Sequence, residues 1–272
     1  MQWSKSKNYI DRIEYSITDQ CNLNCAYCCH YAPVAELFYV DVKTFKFDIK
    51  RLSVLTSKGK FLGTLGILGG EPLLHPSFIE ICIIARKELP YSRIRVTTNG
   101  LLLNKLSKQD LCILRRYDIE ILISKYRIED NFDAMKSLLD EYHIVNKFCN
   151  KNELVDFYKY SLDESGSQNM KEAHDKCTLW QSEPFYTCHE LRNGQLYPCS
   201  QIARIDTLNK KFGTKMPDKK LSSIDIHKNE LSQICDFLKR PVVHCKYCKT
   251  FEWNNTIQGK WKLSKKCKEE FV

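Results

Sequence analysis

Three cysteines near the start of the chain are spaced closely enough to bind one metal cluster. Cys21, Cys25 and Cys28 lie four and three residues apart, with Asn22 and Asn24 among the intervening residues. Such polar spacers are typical of a loop rather than of a helix face. Closely spaced thiolates bind iron–sulfur clusters, and three of them leave one iron of a four-iron cubane without a protein ligand. An open coordination position is what a metal site keeps when it binds and activates a substrate.

Small or polar residues also lie at or just after the carboxyl ends of three segments predicted to be strands: Gly69, Gly70, Glu71, Asn99 and Ser124. Loops after the strands carry the chemistry in parallel α/β folds, so we expect these residues to lie beside the cysteine loop. Glycine lets a ligand approach the backbone closely, and hydroxyl and amide groups supply hydrogen bonds. The alternative is ordinary turn chemistry, since Asn99 precedes a glycine in a common turn pair.

A second group of cysteines lies in the C-terminal part of the chain: Cys177, Cys188, Cys199, Cys245 and Cys248. Gly194 predicts a hairpin turn that brings Cys188 and Cys199 together. Cys245 and Cys248 add two more thiolates, which completes a four-thiolate site for either an iron–sulfur cluster or zinc. The spacing leaves open whether Cys177 or Cys188 is the first ligand.

Other cysteines and histidines are predicted to have structural roles. Cys82 and Cys112 lie in apolar helical patterns and are expected in the core. His30 and His75 flank the motifs, but a lone histidine is more often a packed residue than a catalyst, so we interpret both as packed.

Hydrophobic periodicity predicts alternating strands and helices through the first half of the chain. The predicted strands are 13–18, 64–68, 93–97, 119–124, 143–148 and, more weakly, 155–160; the predicted helices are 41–56, 76–89, 109–116 and 131–142. Such alternation favours a parallel sheet with right-handed crossovers. The pattern is lost in the polar segment 161–169, so we predict two domains, 1–165 and 166–272, with one further helix at 229–239.

The composition is that of a globular protein of 272 residues, with 43% hydrophobic and 28% charged residues and a net charge of +9. No apolar run approaches the ~18 residues of a membrane span, and no secretory signal is present. These features predict a cytoplasmic protein with no membrane partner, in which the clustered thiols among the 14 cysteines bind metal rather than form disulfides. The short basic clusters, such as Lys210-Lys211, are either solvated surface or a site for an anionic substrate. The sequence contains no basic stripe interleaved with aromatic residues, which is the pattern that would indicate nucleic-acid binding.

The cysteine loop, with Tyr27 at its aromatic position, resembles the C-x3-C-x-Φ-C signature of the radical S-adenosylmethionine (SAM) family. The resemblance implies an open (β/α)6 partial TIM-like barrel and a [4Fe-4S] cluster bound by Cys21, Cys25 and Cys28. It also implies that the amino and carboxylate groups of SAM chelate the fourth iron. One electron then cleaves SAM to methionine and a 5'-deoxyadenosyl radical, so an electron donor such as flavodoxin or ferredoxin is expected.

The same resemblance assigns SAM contacts. Gly69, Gly70 and Glu71 match the family's GGE motif, which meets the SAM amino group. Asn99 and Ser124 occupy positions that contact the ribose or the methionine carboxylate in the family, and Tyr27 is expected near the adenine.

The step from Gly194 to Cys199 resembles the start of the SPASM and Twitch auxiliary-cluster domains. A full SPASM domain needs a further C-x5-C-x3-C run, which is absent after Cys248. The resemblance therefore implies a small Twitch-like domain with a single auxiliary [4Fe-4S] cluster, which exchanges electrons with the substrate radical.

The function predicted from these features is that of a radical SAM oxidoreductase or epimerase acting on a sugar, an aminocyclitol or a nucleotide-linked glycan precursor. The alternative is modification of a ribosomally made peptide, although only twenty residues precede Cys21, too few for a leader-binding domain. A third hypothesis is a non-catalytic zinc-binding module. The sequence identifies no catalytic residue beyond the cofactor ligands.

Overall fold

The computed structural model describes residues 8–149, 153–181, 189–253 and 257–272, so Cys188 lies outside the described residues. The first five strands are β1 (Ile10–Thr18), β2 (Leu62–Gly69), β3 (Arg93–Thr98), β4 (Ile119–Ile123) and β5 (Asn146–Phe148). Each pairs in parallel with its neighbour in the chain. This largely parallel sheet confirms the predicted α/β class and is consistent with a partial barrel.

Four helices connect these strands: α1 (Val42–Leu55), α2 (Phe78–Glu88), α3 (Lys108–Arg116) and α4 (Phe132–Glu141). The starts of the first and third are fixed by side-chain caps. Asp41 accepts hydrogen bonds from the backbone of Lys43 and Thr44, and Ser107 forms a capping box with Asp110.

The two faces of β1 differ in chemistry because its side chains alternate in direction. Ile13, Tyr15 and Ile17 belong to the hydrophobic core that also contains apolar residues of all four helices. Glu14 and Ser16 lie on the opposite face and are also buried. This second face is polar, so it is the face on which a site can be built.

The sixth predicted strand differs from the expectation. It is reduced to β6 (Phe157–Tyr158), which pairs antiparallel with β10 (Ile257–Gly259) and does not join the parallel strands. A parallel connection needs a crossover of about a dozen residues or more, but only 149–156 separate β5 from β6.

The C-terminal part of the chain extends the same sheet. Its strands are β7 (Glu190–Arg192), β8 (Gln195–Tyr197) and β9 (Ile224–Asp225), and the sheet order is β5-β4-β3-β2-β1-β7-β8-β9. β7 pairs in parallel with β1, and β7 and β8 form the predicted hairpin, with Gly194 at φ +74° in its turn.

The remaining helices are short: α5 (Met170–Asp175), α6 (Thr178–Gln181), α7 (Ser200–Ala203), α8 (Ile205–Phe212), α9 (Leu231–Leu238) and α10 (Thr250–Trp253). α9 is the helix predicted at 229–239. Within the described ranges, no helix has the length and apolar character needed to cross a bilayer.

Candidate active site

The carboxyl ends of the first four strands converge on the cysteine loop, as predicted. The backbone N–H of Gly70 donates to the Thr18 carbonyl at 2.8 Å, and that of Glu71 donates to the Gln20 carbonyl at 2.7 Å. The Ser124 N–H donates to the Thr98 carbonyl at 2.9 Å. The end of β1 is thereby held against the turn after β2.

The two glycines are required by this close approach of backbones. A Cβ atom at Gly69 would lie 2.1 Å from the Thr18 carbonyl oxygen, and one at Gly70 would lie 2.3 Å from that of Gln20. Both distances are far below contact distance, and the obstructing atoms are backbone. The glycines therefore allow the start of the cysteine loop to lie directly on the turn after β2.

Glu71 connects the ends of β2 and β3. Its fully buried carboxylate accepts hydrogen bonds from the Thr98 hydroxyl at 2.7 Å, the Asn99 N–H at 2.8 Å and the Leu73 N–H at 3.1 Å. Burial raises the pKa of Glu71 to about 7, against the lowering effect of these three bonds. In this structure the carboxylate braces the site, and its predicted contact with SAM stays a prediction.

Asn99 links β3 directly to the cysteine loop. Its side-chain amide donates to the Asn22 side-chain oxygen at 2.7 Å, and its own oxygen accepts from the Leu101 N–H at 3.0 Å. Asn22 lies between two of the thiols, so this bond orients the loop. The sequence indicated Asn99 as a ligand contact but gave no sign of its bond to Asn22.

The three loop thiols lie in a largely buried environment. Burial raises the pKa of Cys21 to about 11 and raises that of Cys28. The pKa of Cys25 is raised by burial and by the nearby thiolates of Cys28 and Cys21. Tyr27 adopts a left-handed backbone conformation, at φ +60°, just before the last thiol.

Ser124 and Tyr126 extend the site beyond β4. The Ser124 hydroxyl is buried and lies 3.5 Å from the Cys149 sulfur. Burial and the nearby Cys25 thiolate raise the pKa of Tyr126, which also forms a side-chain hydrogen bond with Ser124. Tyr126 thus links Ser124 to the cysteine loop, beside which the sequence predicted Ser124 to lie.

A segment of the C-terminal tail closes over the loop, which the sequence did not indicate. Cys25 forms an antiparallel bridge with Leu263. The Ala26 N–H donates to the Lys262 carbonyl, and the Ser264 N–H donates to the Asn24 carbonyl, both at 2.9 Å. No local pattern in the tail predicts these contacts.

A buried charge cluster connects β1 to the C-terminal part and was also missed. Two nitrogens of Arg192 donate to the Asp19 carboxylate at 2.8 and 2.6 Å. Arg204 is fully buried and contacts Asp19, Glu190 and Ser16. Burial acts to raise the pKa of Asp19, but the hydrogen bonds and charges of the two arginines lower it overall.

Beside this cluster lies a polar cavity of about 430 Å³. Its lining carries both signs of charge, on Asp19, Glu36, Arg192, Asp206, Lys210 and Lys211. Asp19 is two residues from the first loop thiol. The volume falls within the range of small-molecule pockets.

Four cysteines of the second group line one small cavity: Cys177, Cys199, Cys245 and Cys248. The pKa of Cys248 is raised by burial and by the charges of the other three thiolates. Of the two candidates for the first ligand, Cys177 lines this cavity, whereas Cys188 lies outside the described residues.

The donor chemistry of both groups fits iron–sulfur clusters, because each consists of thiols in a mostly buried setting. Among the described residues, no three Cys, His, Asp or Glu side chains lie close enough together to hold a single metal ion.

Among the residues predicted to have structural roles, some are buried as expected and one is not. His75 is buried, donates to the Val40 carbonyl at 2.9 Å and accepts from the Ser77 N–H at 3.0 Å. Cys82 is buried as predicted. The prediction for Cys112 was wrong, since its side chain is exposed on the outer face of α3.

The sequence profile of the Radical SAM superfamily matches residues 15–155. A GTP 3',8-cyclase of Microcystis aeruginosa is 36% identical over 106 residues, which are 37% of this chain and 31% of that protein. A GTP 3',8-cyclase of Petrotoga mobilis is 27% identical over 173 residues, which are 57% of this chain and 53% of that protein. The matched part thus spans about a third to a half of these relatives.

Two solved structures share the fold over most of the chain. The structure of BtrN in complex with AdoMet and 2-DOIA superposes with a TM-score of 0.54 at 20% identity, over 88% of this chain and 93% of that one. That of native anSMEcpe with bound AdoMet gives a TM-score of 0.53 at 14% identity, over 96% and 95%. At these identities the similarity concerns the fold alone.

Proposed function

This chain belongs to the radical SAM superfamily, and we propose that it uses two clusters to oxidise or epimerise a small polar molecule. Membership of the superfamily implies a [4Fe-4S] cluster and SAM as cofactors. When bound, they supply a 5'-deoxyadenosyl radical that abstracts hydrogen from an unactivated C–H bond. The protein orients the substrate and excludes side reactions.

The proposed ligands of the SAM-binding cluster are Cys21, Cys25 and Cys28. Asn22 and Asn99 hold the loop in one orientation through their 2.7 Å hydrogen bond. The proposed SAM-binding residues surround this loop, namely Tyr27, Gly69, Gly70, Glu71, Asn99 and Ser124. In this proposal Glu71 acts mainly by bracing the strand ends, while the backbone around Gly69 and Gly70 meets the SAM amino group.

The observation that carries the two-cluster proposal is the cavity lined by Cys177, Cys199, Cys245 and Cys248. Four thiolates satisfy every iron of a cubane, so such a cluster has no open position for SAM. Its proposed role is to take up or supply the electron that a substrate radical must lose or gain. We propose Cys177, rather than Cys188, as the first ligand. We further propose that residues 166–272 form the auxiliary-cluster domain.

Two observations support a small polar substrate. The 430 Å³ cavity with mixed charges, including Lys210 and Lys211, suits a molecule that carries hydroxyl, amino or anionic groups. In addition, the BtrN structure, which shares the fold over 88% of this chain, contains 2-DOIA together with AdoMet. Sugars, aminocyclitols and nucleotide-linked glycan precursors meet these requirements.

A second candidate is chemistry on a nucleoside triphosphate. It is favoured by the curated relatives, which are GTP 3',8-cyclases and match up to 57% of this chain. The basic side chains of the same cavity could hold a phosphate group.

The proposal is tested by anaerobic incubation of the reconstituted protein with SAM, a reductant and one deuterated candidate substrate at a time. Sugars, aminocyclitols and GTP form the panel. We expect deuterium in 5'-deoxyadenosine with one polyhydroxylated substrate; transfer only from GTP would favour the second candidate. Metal analysis should give roughly eight irons per chain. Zinc without iron would refute both.

A further inference from the structure

The C-terminal tail forms the outer cover of the cysteine loop. Leu263 forms a bridge with Cys25, and the backbones of Lys262 and Ser264 bond to the residues on either side of Cys25. Cys25 itself is only 7% exposed. The tail is therefore a surface element in direct backbone contact with a proposed cluster ligand.

The solvent side of this tail is strongly basic. Residues 260–268 contain five lysines: Lys260, Lys262, Lys265, Lys266 and Lys268. The first pairs with Asp156 and the last with Glu164. Within the part of the chain that the structure describes, no ion pair involves the other three.

The nearby carboxylates leave this charge largely uncompensated. Glu270 is buried and accepts hydrogen bonds from the Ser264 hydroxyl and the Lys265 N–H, so it faces inward. Glu269 is exposed and lies near Lys268. The three remaining lysines thus present positive charge to solvent.

An apolar side chain lies among these lysines. Leu263 is 64% exposed, although its backbone is held against the cysteine loop. We call Lys262, Leu263, Lys265 and Lys266 the tail face. An apolar centre with a charged rim is the composition of a transient protein interface, in which the charges steer association.

We propose that the tail face docks a small acidic one-electron carrier protein, which reduces the cluster bound by Cys21, Cys25 and Cys28. This inference rests on the proposed function and identifies the partner surface of that site. Electrons must reach a buried cluster from the protein surface. The tail face lies on the segment whose backbone pairs with that of the proposed ligand Cys25. One electron leaves the reduced carrier and lowers the cluster from the 2+ to the 1+ state, and no atom is transferred.

The test uses the triple variant Lys262→Glu, Lys265→Glu, Lys266→Glu of the full chain, with flavodoxin as the acidic carrier. At low ionic strength, we expect the variant to bind oxidised flavodoxin at least about tenfold more weakly than the wild type does. The difference should shrink at about 1 M salt, where charges are screened beyond about 3 Å. Cluster reduction by reduced flavodoxin, followed by absorbance, should slow to a similar extent.

The matched control reverses three exposed lysines on the helical side of the sheet, with Lys87→Glu, Lys105→Glu and Lys108→Glu. It changes the net charge equally, so equal weakening in both variants, or none in the tail variant, would overturn the proposal. Reduced methyl viologen, a small cation, should reduce the tail variant at least as fast as the wild type. If methyl viologen supports no SAM cleavage in the wild type, the proposed function fails and the docking proposal fails with it.

Discussion

At the scale of single residues, side-chain hydrogen bonds hold the strand ends and the cysteine loop in position. Glu71 and Asn99 were identified from their types and positions after strands, and both lie where the sequence predicts. Their partners could not be predicted, because Thr98 and Asn22 are reached only after the chain has folded. A sequence shows which groups can form hydrogen bonds, whereas tertiary contacts determine which pairs do so.

His75 gives a prediction at the residue scale. Its Nδ1 accepts a hydrogen bond and its burial lowers its pKa below the ordinary value of 6.5, so the folded protein holds the neutral imidazole. The unfolded chain therefore binds more protons below pH 6.5, and stability should fall as the pH falls from about 7 to 5. The slope is at most about 1.4 kcal/mol per pH unit.

The measurement is the free energy of unfolding in urea at several pH values for wild type and His75→Gln. The variant lacks the titrating group, so its stability should depend less on pH in this window. Equal pH slopes for the two proteins would show that His75 is not held neutral.

Close contact between two elements makes Gly70 irreplaceable. In Gly70→Ala, the new methyl group would meet backbone atoms of Gln20 and Asp19, which cannot move without displacing the cysteine loop. We expect the SAM-binding cluster to be lost, so that iron falls from roughly eight to roughly four per chain. The control is Gly66→Ala in β2, where the nearest atom would be at 3.5 Å. Full iron content in Gly70→Ala would contradict this account.

The charge cluster that joins β1 to the C-terminal part gives a stability prediction. Arg204→Ala removes the buried partner of Glu190, which is fully buried, and one partner of Asp19. Leaving a buried charge unpaired costs about 3–5 kcal/mol. Urea unfolding should report a loss of this size, whereas the exposed Arg115→Ala should change stability by less than about 0.5 kcal/mol. If Arg204→Ala lowered the free energy of unfolding by less than about 1 kcal/mol, Arg204 would not be the partner that stabilises the buried carboxylates.

Elements with strong periodicity could be predicted, and those defined by distant contacts could not. The five parallel strands and their helices appear in the sequence because apolar residues repeat at helical or strand spacing. β6 could not be assigned correctly, because the strand with which it pairs among the described residues, β10, comes about a hundred residues later in the chain. Cys112 was misplaced because a helical pattern does not fix which cysteine faces the core.

At the scale of the whole molecule, the C-terminal part of the chain contacts the N-terminal part at three places. β7 extends the sheet beside β1, Arg192 and Arg204 bind Asp19, and the tail covers the cysteine loop. The sequence predicted two successive domains and a hairpin within the second. It could not predict that the second part would complete the sheet and site of the first, because these contacts span more than a hundred residues.

The two-cluster proposal predicts separate effects at the two cysteine groups. Cys245→Ala should lose the auxiliary cluster, retain SAM cleavage and form no product, because the substrate radical has no electron partner. Cys112→Ala, at an exposed cysteine outside both groups, should behave as wild type. Product formation at the normal rate in Cys245→Ala would show that the auxiliary cluster is not catalytic.

The central claim is that three thiolates of one loop hold a cluster that binds and cleaves SAM. The most direct test is the amount of 5'-deoxyadenosine formed from SAM under reducing, anaerobic conditions by reconstituted wild type and by Cys25→Ala. The account predicts reductive cleavage by the wild type and none by the variant. Cleavage at the same rate by both, or by neither despite full iron content, would contradict it.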